Sequence, residues 1–125
     1  MTTIYNLTID GDRFTFLCRS RSTRNGFAHD CELQINGNFR VSHSVHYLNR
    51  TWECWTFQTA IKGALNQLWT ERADELRDAY RAAHGIKRIT AKHADALQAF
   101  IDEDAKLAQL DRALSRVRET YPTWD

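Results

Sequence analysis

Arginines are the residues of this sequence best suited to holding an anionic partner. Residues 1–50 carry six arginines, no lysine and four acids. Three of the arginines sit together in "CRSRSTRNGF". Arg19 and Arg21 fall on one face of an alternating stretch, and Arg24 follows them among Ser20, Ser22, Thr23 and Asn25. A guanidinium presents a planar fork of donors that matches phosphate, and nearby hydroxyls add short donors. Gly26 permits backbone conformations that other residues avoid. The same composition also suits a solvated hairpin loop whose charges keep an edge strand from pairing with another chain.

A second candidate lies in "HSVHYLNRTWECWTFQTAI", residues 43–61, where the pattern turns from alternating to helical. Arg50 precedes Thr51 at the expected start of a long helix. Unpaired amides give such an end partial positive charge, which favours an anion. Trp52 and Trp55 offer faces on which a base stacks. In a purely structural reading, the two tryptophans and Phe57 wedge helix against sheet while Asn49 and Thr51 cap. A third basic pair, Arg112 and Arg116, stands one turn apart on the last helix, with Lys87 and Arg88 as further cations. Those two arginines are equally suited to ion pairs with Asp111 and Glu119.

No reaction signature accompanies these groups. GxSxG, Walker, HExxH and GxGxxG patterns are all missing from the sequence. The five histidines are scattered. His43 and His46 face opposite sides of one strand, and His43 reads as a satisfied core histidine. The run Asp102–Asp104 reads as a solvated face rather than a metal site. The three cysteines, Cys18, Cys31 and Cys54, lack CxxC spacing and an even count, so buried thiols are expected instead of a disulfide framework. Cys54, in the first turn of the expected helix, is the one placed for reactivity. The chain therefore reads as non-catalytic, with no cofactor.

The elements that position these groups follow from periodicity. "TIYNLTI", "RFTFLCRS", "CELQI" and "FRVSHSVHY" alternate as strands. Phe39, Val41, His43, Val45 and Tyr47 are expected on one face of the last. Asp10-Gly11-Asp12 marks a turn, and Asn36-Gly37 is a strong hairpin signal. From Thr51 to His84, apolar residues recur at spacings of three and four, the stripe of an amphipathic helix that Gly85 ends. A second helical stretch opens at Thr90 and carries Leu97, Phe100, Leu107, Leu110, Leu114, Val117 and Tyr121. Asp102–Asp104 interrupt its stripe, so a bend or break is expected there, and Pro122 ends it. The fold class is α+β: a four-stranded antiparallel meander over residues 1–48, then a long antiparallel two-helix hairpin over residues 51–121, in a single domain. Four strands cover only part of such a hairpin. Another copy of the chain is the simplest cover for the rest, so a homo-oligomer through the long helices is expected.

Composition sets the outer bounds. The net charge is +1, with 42% hydrophobic and 26% charged residues and one proline. There is no apolar run long enough to span a membrane and no basic-then-apolar start, so a cytoplasmic protein with no membrane partner is expected. Near-neutral charge argues against general nucleic-acid binding.

The segments "STRNGFAHDCEL" and "VHYLNRTWECWTFQTAI" resemble small proteins encoded by phages and prophages, over residues 20–65. The order of elements, strands and then two helices, is similar to that of the Thoeris anti-defence nucleotide sponges. That resemblance implies an oligomer that sequesters a cyclic nucleotide signal without cleaving it, inside the host cell. It assigns no binding residue here. The leading expectation is a protein that sequesters a small anionic signalling nucleotide. The alternatives are an anti-CRISPR-type inhibitor of a nucleic-acid-handling bacterial defence protein, and a weak nucleic-acid-binding module.

Overall fold

The computed structural model describes residues 1–49 and 56–120. Four strands, β1 (Thr3–Ile9), β2 (Asp12–Thr23), β3 (Gly26–Ile35) and β4 (Asn38–Tyr47), form one antiparallel sheet in the order β1-β2-β3-β4. Helix α1 (Gln58–His84) follows. A 3-10 turn (Ala91–His93) then leads to α2 (Ala94–Asp102) and α3 (Ala105–Thr120). Among the described residues, no helix is long and apolar enough to cross a membrane.

Turn chemistry sets the register. Asp10-Gly11 and Asn36-Gly37 both adopt positive φ at both positions, 54° and 84° in the first and 52° and 82° in the second. Paired left-handed residues give a two-residue turn whose twist matches that of the strands it joins. Gly26 serves a different end from the one its flexibility suggests. Its φ is not left-handed, but a Cβ there would lie 2.0 Å from the Tyr47 carbonyl oxygen. The glycine is needed for space, because the end of β4 crosses against it.

Alternation places Leu7, Ile9, Phe14, Phe16, Cys18, Cys31, Leu33 and Val41 on one face, all buried. That face meets Ala60, Ile61, Ala64, Leu65 and Leu68 of α1 and Leu107, Leu110, Ala113, Leu114 and Val117 of α3. The alanines let helix backbones approach closely, and Gly63 lets the His43 ring lie against α1, since a Cβ there would fall 2.3 Å from it. Helices α1 and α3 run antiparallel: Gln58 Nε2, at the start of α1, donates to the Val117 carbonyl near the end of α3 (3.0 Å), while Arg72, midway along α1, binds Asp104 just before α3 begins.

Three expectations are corrected. The helical part is three helices, not a two-helix hairpin. Asp104 makes the break: its carboxylate accepts from the Leu107 amide at 3.0 Å, which caps α3. Arg72 holds the same carboxylate at 2.6 and 3.1 Å, so Asp104 is mostly buried instead of solvated. Arg72, with the Leu107 amide, outweighs burial and keeps the Asp104 carboxyl below the usual range. The second correction concerns α1, which begins at Gln58 with Phe57 at its cap position, so the expected start at Thr51 is too early. The third concerns β4. Leu33 pairs with Val41 but Gln34 pairs with Phe39, leaving Arg40 as an extra residue. This bulge turns Phe39 off the core face, and it is 60% exposed.

Candidate functional site

Among the described residues, the sheet is covered on one face only. Register brings Arg13, Thr15, Leu17, Arg19 and Arg21 of β2 to the open face, beside Asp30, Glu32 and Gln34 of β3 and Ser42, Ser44 and His46 of β4. Arg19 lies directly opposite Asp30, and Asp30 opposite Ser44. A hollow of about 620 Å³ lies over this row, lined by Thr2, Leu17, Arg19, Arg21, Asp30, Glu32, Ser42 and Ser44.

Arg21 Nε donates to Asp30 at 2.8 Å, and the Ser44 hydroxyl donates to the other oxygen of the same carboxylate. Burial pushes the Asp30 carboxyl upward. The Ser44 hydroxyl and the Arg21 guanidinium outweigh that, with help from Arg19, and the group sits below the usual carboxylate range. Asp30 therefore stays ionised and holds Arg21 in place. The Arg19 side chain is exposed and makes no ion pair among the described residues. Below this row, Asn6 Oδ1 accepts from Arg13 Nε (3.2 Å) and Thr15 (2.9 Å), which fixes a third guanidinium on the same face.

Of the residues singled out in the sequence, Arg19 and Arg21 are brought together at this hollow. Arg24 is exposed in the two-residue turn between β2 and β3 and does not line the hollow. Arg50, Thr51, Trp52 and Trp55, like Cys54, lie outside the described residues. Arg112 is bound to Asp10 in the β1–β2 turn, not to Asp111, with Nε at 3.1 Å from the carboxylate. It shares a shallow depression with Arg116, Ile9 and Ser115. Both arginines belong to α3, on the opposite side of the sheet from Arg19 and Arg21.

A further group escaped the sequence reading. Arg40, Arg72 and Lys106 meet at a second hollow, of about 440 Å³, between the hairpin turns and helices α1 and α3. Alternation alone places Arg40 on the open face; the bulge sends it to the helix side, and no sequence signal marks that bulge.

Three further titratable groups, Cys18, Cys31 and His29, belong to the core. Cys18 and Cys31 lie opposite each other in the core, fully buried and free, and the Cys31 thiol is pushed up by its hydrogen bond to Cys18 and by burial. His29 is 3% exposed among Phe27, Tyr47 and Phe57, and burial lowers its pKa although its ring N–H donates to the Thr56 carbonyl. Among the described residues, no three His, Cys, Asp or Glu side chains gather as metal ligands do. No protein-family model matches the chain, and neither curated proteins nor solved structures yield a match.

Proposed function

We propose that this is a non-catalytic binding protein that sequesters a small anionic nucleotide on the open face of its sheet. The observation that supports this most directly is the pair Arg19 and Arg21 over a hollow edged by the Ser42 and Ser44 hydroxyls. Its volume lies within the range of small-molecule sites. Asp30 holds Arg21 ready, and Arg19 remains open to a phosphate. In this reading the protein is a phage-type anti-defence factor of the host cytoplasm, and the ligand is a cyclic signalling nucleotide.

The proposed assembly is a homo-oligomer joined at the helical tip. No residue of α2 is buried, and Leu97, Phe100 and Ile101 are only half-covered. Apart from Asp95, the charges at its ends oppose its dipole, with Lys92 before its start and Asp102 and Glu103 at its end. An antiparallel second copy sets each basic end against an acidic one, as a two-fold interface requires. Light scattering tests this part: Leu97→Asp should convert the oligomer to monomer, and a wild-type monomer rejects it.

Calorimetric titration with a panel of cyclic mono- and dinucleotides tests the site. At least one should bind, and Arg19→Ala and Arg21→Ala should each weaken it about tenfold or more, as loss of a charge-assisted hydrogen bond does. Melting temperatures should hardly move. Absence of binding across the panel, or variants that bind like wild type, rejects the proposal.

A second reading rests on a specific feature of the same face. Asp30 and Glu32 share the hollow with the arginines, and Ile4 and Phe39 flank the face at 57% and 60% exposure. Mixed charge with exposed apolar groups suits a protein partner, such as a nucleic-acid-handling defence effector. Phe39→Ser together with Ile4→Ser should then abolish capture of that effector and leave nucleotide titrations unchanged.

A further inference from the structure

We infer that the cleft on the helix side of the sheet, into which the β4 bulge aims Arg40, is a second binding site, for a small zwitterion with an apolar body such as an apolar α-amino acid. It is separate from the open face and does not depend on what binds there. Ile35, Leu68 and Leu110 give it a small apolar patch between β3, α1 and α3, within a lining that is otherwise polar. Most of the polar groups around that patch are already bound to one another.

Asp12 accepts from Gln109 Nε2 at 2.7 Å and from Asn36 Nδ2 at 2.9 Å. Those two bonds lower its pKa, so it stays ionised and tied to the fold. Arg72 is held by Asp104 on one side and by Glu75 at 3.0 Å on the other. Once these pairs are set aside, three charged groups remain for a ligand. Arg40 is exposed and makes no ion pair or hydrogen bond among the described residues, and neither does Glu71. The Lys106 ammonium acts only through space on Asp104, which Arg72 already binds.

A guanidinium fork and an ammonium favour a carboxylate, and an unpaired carboxylate favours an ammonium. The apolar patch of Ile35, Leu68 and Leu110 rewards a hydrocarbon group laid on it at about 25 cal/mol per Å² buried. One molecule meets all three conditions when it carries both charges at one end and an apolar group at the other. The hollow of about 440 Å³ has room for it. The bulge is what brings these conditions together. Without the extra residue, β4 would carry Arg40 to the far face and leave Lys106 as the one available cation. Bulges recur where a strand must re-aim a side chain toward a site.

The test is a titration of the ¹⁵N-labelled protein with L-phenylalanine, followed by amide chemical shifts. The shifts should localise to Asn36, Arg40, Leu68 and Leu110. Arg40→Gln and Glu71→Gln should each weaken binding at least about tenfold, the loss of one charge-assisted contact. Both side chains are exposed and unpaired, so unchanged melting temperatures should confirm that the variants fold. 3-Phenylpropanoate, which lacks the ammonium, should bind more weakly than phenylalanine and respond to Arg40→Gln but not to weakening by Glu71→Gln. Inorganic phosphate should bind more weakly still. Shifts that fall elsewhere, no shifts at millimolar phenylalanine, or an Arg40→Gln variant that binds like wild type would overturn the site. 3-Phenylpropanoate or phosphate binding as tightly as phenylalanine would overturn its zwitterionic, partly apolar ligand.

Discussion

The two faces of the sheet are built from the same four strands, yet they obey different rules. On the helix side, Phe14, Phe16, Cys18, Cys31 and Leu33 are fully buried against α1 and α3. Stability there comes from apolar burial and close fit, so each position tolerates little change. On the open side, Arg19, Arg21, Asp30, Glu32, Ser42 and Ser44 meet water over a hollow. Their interactions are exposed and individually weak. The difference separates what holds the fold from what is available to a partner. Substitutions on one face should therefore be read in melting temperature and on the other in binding.

The largest effect expected is on the covered face. Phe16→Ala deletes a fully buried ring from the centre of β2 and should cost about 3–5 kcal/mol in chemical denaturation. A loss below about 1 kcal/mol would mean that the helices do not pack as described. Next comes Gly26→Ala. The new methyl meets the Tyr47 carbonyl at 2.0 Å, and backbone must move to admit it. A cost of about 1–3 kcal/mol is expected. Gly11→Ala, in contrast, finds open space, and its penalty comes from φ alone.

A smaller effect should appear in pH dependence, at His29 on the covered face. Burial lowers the folded pKa of His29 below the ordinary 6.5. Between those two values the unfolded chain binds more protons than the folded one, so stability rises with pH. His29's contribution is thus intact above pH 6.5 and is lost as pH falls through 6.5 toward the lower folded value. The lowered carboxyls Asp12, Asp30 and Asp104 begin to lose theirs only as pH falls through about 3.8, well below the pH at which the loss from His29 begins. Thermal melts across this range should show the slope in wild type. His29→Phe keeps the aromatic packing against Phe27 and Phe57 and should flatten it. An unchanged slope would remove His29 as its source.

The covered face was far more legible in the sequence than the open one. Alternation gave Phe14, Phe16, Cys18, Cys31 and Leu33, and the spacing of Leu107, Leu110, Leu114 and Val117 gave the seam of α3, because burial imposes a period on residue type. Gly85 was legible as a left-handed cap and has φ 62°. The bend near Asp102–Asp104 was legible, but its cause was not. Only in three dimensions does Arg72 reach Asp104, 32 residues away. The bulge at Arg40 broke the alternation it was read from, since one extra residue exchanges the two faces. Among candidate sites, the sequence showed that Arg19 and Arg21 share a face. It could not show that Asp30 and Ser44 stand opposite them, because strand partners are set by turn geometry and not by local pattern. Arg112 was misread for the same reason, as its partner Asp10 is 102 residues away.

The smallest stability effect should come from the open face, and it sharpens the comparison most. Arg19→Ala should change stability by less than about 0.5 kcal/mol, as exposed positions without partners do. Arg21→Ala removes an ion pair whose arginine is half exposed, worth at most about 1 kcal/mol. The two variants should differ at Asp30 instead. Arg21 is both a hydrogen-bond donor and a charge to that carboxyl, whereas Arg19 acts on it through charge alone. Titrating the Asp30 carboxyl by NMR should show its pKa rising further toward ordinary values in Arg21→Ala than in Arg19→Ala. Equal shifts would mean that Arg21 is not positioned by Asp30. The hollow would then hold two loose guanidiniums, and the preorganisation that recommends this face as a binding site would be gone.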